Sequence, residues 1–294
     1  MIPTTLLAVP NVSEGRDKAA IDAIAAAFDA RLLAVHSDPD HHRSVFTLAG
    51  TPGSLADAVL AGARATVARV DITSHAGIHP RVGALDVAPI VYLDDAARGT
   101  ACAEALVLAD RLGQELALPV FLYGALAGGR TRAQLRRGGL EALARRLEDG
   151  ELVPDFGPPR LHPTAGAVLV AARPPLVAFN VELAPPATLE QAKAIAARIR
   201  EGGPEGLPGV RALGLWLAAR GVAQVSTNVE DHRAVPLADV VAAISRHAVP
   251  ARAELVAPAP QAAFDGFPSY VPVDGLRTIE EALADGVRQG FNKH

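Results

Sequence analysis

Between residues 4 and 123, short apolar runs alternate with one-faced helical patterns, and this alternation limits the fold more than any other feature. A helix with one apolar stripe must cover something, and a short apolar strand needs neighbours. Residues 4–9, 32–35, 44–48 and 120–123 read as strands. Residues 18–30, 51–70 and 96–116 read as helices, the second carrying Leu55, Val59, Leu60 and Ala63 on one side. The pattern predicts an α/β sandwich.

Strand-like runs at 167–172 and 176–181 follow, then strands at 213–217 and 222–225, a last strand at 253–256, and helices at 188–200, 236–247 and 279–289. This later part reads as a smaller unit of split βαβ type. The pairs Pro174-Pro175 and Pro185-Pro186 bracket a domain boundary, placed near 178, so that residues 1–178 and 179–294 form two subdomains. A chain of 294 residues, half of them hydrophobic, can fill two cores.

Charge and composition exclude several function classes. A formal net charge of −4 gives no basic excess for general nucleic-acid binding. No basic region precedes the first apolar stretch, and no uncharged apolar run is long enough to span a membrane. The single cysteine, Cys102, lies among Ala101, Ala103 and Leu106 and reads as a small core residue of a reducing compartment. The expectation is a cytoplasmic protein with small-molecule partners.

The chemistry concentrates in residues 74–86, SHAGIHPRVGALD. His75 and His79 are spaced for one face of a helix, but Gly77 and Pro80 oppose a helix, and Ala76 stands where HExxH has its glutamate. An extended loop entering a strand at 82–87 fits better. There His79 is a positioned acid/base beside the anion-binding Arg81, or both cap a turn. Residues 36–43, HSDPDHHR, turn at Asp-Pro-Asp; they form a metal cluster only if the adjacent His41 and His42 converge, which neighbours normally do not.

Three other segments keep two readings each. Asn11, Ser13 and Glu14 line a site, or Ser13 caps a helix. Arg130, Arg132, Arg136 and Arg137, within the glycine-rich 124–139, cradle an anion or, more simply, form a solvated helix face. No GK[ST] makes that stretch a P-loop. The proline-rich 155–166 walls a flat ligand or merely connects domains.

Taken together, VPNVSEGR at 9–16, DPDHHRSVFT at 38–47, HAGIHPRVGALDVAP at 75–89, DFGP at 155–158, AFNVEL at 178–183 and QVSTN at 224–228 resemble the glutamate formimidoyltransferase family, the formiminotransferase part of formiminotransferase-cyclodeaminases. The resemblance implies two α/β subdomains with a ligand tunnel between them and a monofunctional, homodimeric enzyme of histidine degradation. Such an enzyme uses tetrahydrofolate as co-substrate and N-formimidoyl-glutamate as donor, without a metal. It also implies that His79 is the catalytic histidine and that the folate-binding loop is Gly157, Pro158, Pro159, Arg160, Leu161, His162, Pro163, Thr164, Ala165 and Gly166.

Side-chain chemistry then suggests Asp38, Asp40 or Asp86 for the cationic formimino group, Arg43 and Arg81 for the glutamate carboxylates, and Asn180, Gln224 and Asn228 for the pterin edge. The chain departs from the family's DVD with Ala34, Val35 and His36, and from its YGE with Ala125. Those departures keep two alternatives open: another one-carbon donor such as N-formyl-glutamate, or a folate-binding protein without turnover.

Overall fold

The computed structural model describes residues 4–291. The chain divides into two compact units, one up to Pro174 and one from Pro175 onward. The first holds β1 (Leu6–Ala8), β2 (Asn11–Val12), β3 (Arg31–Asp38), β4 (Arg43–Gly50), β5 (Leu85–Tyr92), β6 (Val120–Leu122) and β7 (Val168–Arg173). Its sheet runs β3-β4-(β1, β2)-β5-β7-β6. β1 and β2 are one strand in two pieces, both antiparallel to β4 and β5, parted at Val9 and Pro10. Pro10 has no N–H to give, yet its carbonyl still accepts from the Phe46 amide at 3.0 Å.

Helices α1 (Lys18–Ala27), α2 (Leu55–Arg69) and α3 (Arg98–Leu116) cover one face through Ile24, Val59 and Leu108, against Phe46, Leu48 and Val170. The other face, over β5, β7 and β6, is covered by α4 (Arg132–Arg136) and α5 (Gly139–Glu148), whose Leu135, Leu143 and Leu147 pack with Phe121 and Leu169.

The second unit holds β8 (Val177–Leu183), β9 (Val210–Leu217), β10 (Val222–Val229), β11 (Pro250–Leu255) and β12 (Val273–Asp274), with α6 (Leu189–Ile199), α7 (Leu237–Ser245) and α8 (Ile279–Phe291). Its sheet order is β12-β11-β8-β10-β9. Insertion of β10 between β8 and β9 is the split βαβ arrangement expected for this half. The first unit repeats it: β4 lies between β3 and the broken first strand, and β5 closes the other side.

Three elements were not anticipated, the first being β2, which continues the first strand past Pro10. Helix α5 begins at Gly139, where the glycine- and arginine-rich stretch reads as ending. Strand β12 follows β11, so residues 253–256 do not belong to the last strand.

One buried charge sets a helix end from a distance. Ser54 makes no side-chain cap for α2. Instead Glu104, on α3 and only 6% exposed, accepts from the amides of Ala56 (2.7 Å) and Gly53 (2.8 Å). A carboxylate at a helix N-terminus satisfies orphan donors and complements the dipole. Glu104→Ala strands both amides and is expected to cost about 2–3 kcal/mol, read as a lower urea midpoint with unchanged slope. Glu104→Gln, which keeps one acceptor, falls between.

Candidate active site

Residues 75–84 run as an irregular loop into β5, as Gly77 and Pro80 require. The loop is fastened on two sides. Along one edge the Ile72 amide donates to the Thr164 carbonyl, Ala84 to Ala165, and Ala167 to Val82, each at 2.9 Å. On the other side lies the four-residue turn between β3 and β4, where the Ile78 amide donates to the Asp40 carbonyl at 3.3 Å. The His75 ring stacks on His42 with centroids 4.2 Å apart, and its Nε2 lies 2.9 Å from the His42 carbonyl.

Each motif position therefore has its own part. A Cβ on Gly77 would stand 2.5 Å from the His41 carbonyl oxygen, so only glycine allows this approach. Arg81 donates to the carbonyls of His75 and Gly77, closing the loop on itself. Its Nε has no hydrogen-bond partner among the described residues. Ser13 does not cap a helix, since Asp17 caps α1; Ser13 Oγ donates to the Gly83 carbonyl at 2.7 Å and ties the first loop to this one.

His79 is half-buried, its ring 6.2 Å from that of His41. Burial pushes its pKa well below the usual imidazole value, and the charges of Arg43 and Arg136, His41 and Arg132 push the same way. The imidazole is neutral at pH 7 and free to accept a proton. His41 and His42 do point apart, one toward His79 and the other onto His75.

The arginines behind His79 correct the reading of a solvated helix face. Arg136 forms an ion pair with Asp86, whose side chain is 2% exposed and whose other oxygen accepts the Val82 amide at 2.7 Å. Arg132 lies 5.7 Å over the Tyr123 ring, and Arg130 pairs with Asp155. Arg137 alone of the four keeps a largely exposed side chain, at 75%. Helix α4 has a single buried apolar residue, Leu135, and docking it on the sheet turns its neighbour Arg136 inward. Arg43, at the start of β4, has its pKa lowered to about 10, mainly by burial. Arg43 Nε, Arg136 Nε and Tyr123 OH are buried without a partner among the described residues, so this region suits a ligand rich in acceptors.

Asp38 closes the β3–β4 hairpin opposite Arg43 and accepts the His41 amide at 2.7 Å. In residues 157–166, Gly157 and Gly166 have positive φ, and His162 Nδ1 accepts the Ala165 amide at 3.0 Å, holding a tight turn. Pro159 and Arg160 are exposed. In the second unit Asn180, Gln224 and Asn228 share the sheet face opposite the Phe179 and Val225 core, and Asn180 donates to Glu254 at 3.0 Å. Glu182, buried on the same face, pairs with Arg252 and Arg220. Among the described residues no three His, Cys, Asp or Glu side chains converge as a metal site, and no helix is long and apolar enough to cross a membrane.

The sequence model described as "Formiminotransferase domain, N-terminal subdomain" matches residues 5–173, and that described as "Formiminotransferase domain" matches residues 178–257. The chain belongs to the formiminotransferase family. Among formiminotransferase relatives, it is 40% identical to the formimidoyltransferase-cyclodeaminase of Gallus gallus over 78% of its own length and 44% of that protein's. It is 38% identical to the glutamate formimidoyltransferase of Streptococcus pyogenes serotype M1, covering 75% and 76% of the two chains. It is 34% identical to that of Thermoplasma acidophilum, covering 91% and 92%. The chain spans less than half the length of the vertebrate relatives it matches. Of its departures from the formiminotransferase pattern, His36 sits on edge strand β3 opposite Val45, and Ala125 is exposed in the turn after β6.

Acid should destabilise the folded chain. His42, His75, His79 and His232 all have lowered pKa values, each mainly through burial. Unfolded, they titrate near about 6.5, so below that pH the unfolded chain binds more protons than the folded one. Stability is then complete above about pH 6.5 and is lost as pH falls toward the folded values. The urea midpoint is expected to be lower at pH 5.5 than at pH 7.5; equal midpoints would contradict the neutral-histidine assignment.

Proposed function

We propose that the chain transfers the formimidoyl group of N-formimidoyl-L-glutamate to tetrahydrofolate, releasing L-glutamate and 5-formimidoyltetrahydrofolate, as a step of histidine degradation. The observation that carries this reading is a neutral histidine set against arginines whose buried Nε donors lack partners among the described residues. Membership of the family supports it, as do the relatives named for this transfer. Tetrahydrofolate, when bound, supplies a secondary amine as the acceptor.

His79 takes the proton released from that amine and returns it to the glutamate nitrogen as the old carbon–nitrogen bond breaks, so the proton balance closes within the site. Arg43 and Arg136 bind the donor's carboxylates, where a guanidinium fork fits best. A carboxylate, Asp38 or Asp40, holds the cationic formimino group. Residues 157–166 take the folate, on the matched motif.

The test is transfer by the purified chain with N-formimidoyl-L-glutamate beside N-formyl-L-glutamate. Turnover of the first alone is expected. Turnover of the second alone would move the assignment to a formyl donor, and folate binding without either would make the chain a binding protein. Arg136→Lys keeps a cation beside Asp86 but loses the fork. It is expected to raise KM for the donor roughly 10- to 100-fold with little change in kcat.

A further inference from the structure

The first histidine of the motif, His75, has no part in the proton transfer, yet both of its ring nitrogens are engaged. Its Nδ1 accepts the Gly77 amide at 3.1 Å, and its Nε2 lies 2.9 Å from the His42 carbonyl. An acceptor at Nδ1 places the proton on Nε2, so this tautomer donates to His42. His42 has the complementary bond: its Nδ1 accepts the Gly15 amide at 3.1 Å. Its backbone is left-handed, with φ of 50°, a strained state for a residue with a side chain unless its surroundings hold it.

We propose that His42 and His75 are positioning residues: as a stacked, hydrogen-bonded neutral pair they clasp loop 75–81 to the β3–β4 turn and so set the place of the His79 ring. Three chain segments meet in this pair, through Gly15, His42 and His75. The inference rests on the reading of His79 as the group that moves the proton.

Protonation opens the clasp. A proton on Nδ1 of either ring turns an acceptor into a donor that faces an amide N–H. Two cationic rings 4.2 Å apart also repel. The charged groups around the pair are Glu14, 3.4 Å from His42 Nδ1, and Arg16 and Arg81. Glu14 favours the proton and both arginines oppose it. Burial, the largest influence on each ring, also opposes it, so the pair stays neutral at pH 7. Turnover therefore falls in acid through loss of His79 placement, before His79 itself is protonated.

The experiment pairs amide exchange of Gly15 and Gly77 in the whole chain with pH profiles of wild type, His75→Leu and His75→Gln. Both amides are expected to be protected at pH 7.5 and to lose protection together as the pH falls below about 6.5. His75→Leu should expose Gly77 at pH 7.5 and lower kcat by about 10- to 10²-fold, with KM nearly unchanged. His75→Gln, which can still donate to the His42 carbonyl, should restore most of kcat and move the acid limb to lower pH. Independent exchange of the two amides, or an acid limb that stays in place in both variants, overturns the clasp. Exchange is read without substrate, so an absence of formimidoyl transfer would sink the proposed reaction and leave the clasp to be decided by its own result.

Discussion

His79→Ala is expected to lower formimidoyl transfer by about 10²- to 10⁴-fold while leaving tetrahydrofolate affinity within a few-fold. The size follows from the role proposed for the residue: the acceptor amine must lose a proton and the glutamate nitrogen must gain one. Burial and the neighbouring arginines keep the imidazole neutral, and therefore ready to accept, at every pH near 7. Initial rates at saturating substrates, set beside equilibrium folate binding, give the result. A variant that keeps more than a tenth of wild-type turnover would show that the proton travels through another group, and His41, 6.2 Å away, would be examined next.

Asp86→Ala is expected to be the costliest change to stability, about 3–5 kcal/mol by urea unfolding at pH 7.5. The substitution breaks the buried pair with Arg136 and removes the acceptor of the Val82 amide. It also takes away the charge that most favours the cationic form of buried Arg43. Truncating one partner of such a pair costs more than the pair contributes, because the remaining charge stays buried and alone. Asp86→Asn, which can still accept the Val82 amide, should lose less. A loss below about 1 kcal/mol for the alanine variant would mean that Arg136 can swing to solvent.

Much of the fold was legible because its signals are local. Apolar periodicity located the helices, and short runs located most strands, since each reports burial of one face. Gly77 and Pro80 predicted the irregular loop at 75–84 through backbone sterics alone. The split βαβ arrangement of the second half followed from element order. The stretches matching the family identified the chain, and in the fold their Gly77, Arg81 and Ser13 hold the loops around His79.

Other features lie between segments distant in sequence, and only the folded chain decided them. Nothing at Ser54 announces that Glu104, some 50 positions on, caps helix α2. Arg136 reads as one of four solvated arginines until α4 docks through Leu135 and turns it toward Asp86. His42 and His75, 33 positions apart, become a stacked pair only when the β3–β4 turn meets the loop before β5. The sequence by itself determined most of the elements and, through the family's motif, which histidine is the candidate base. The tertiary structure decided which charges are buried together, because burial and pairing belong to the packed chain and not to any one of its segments.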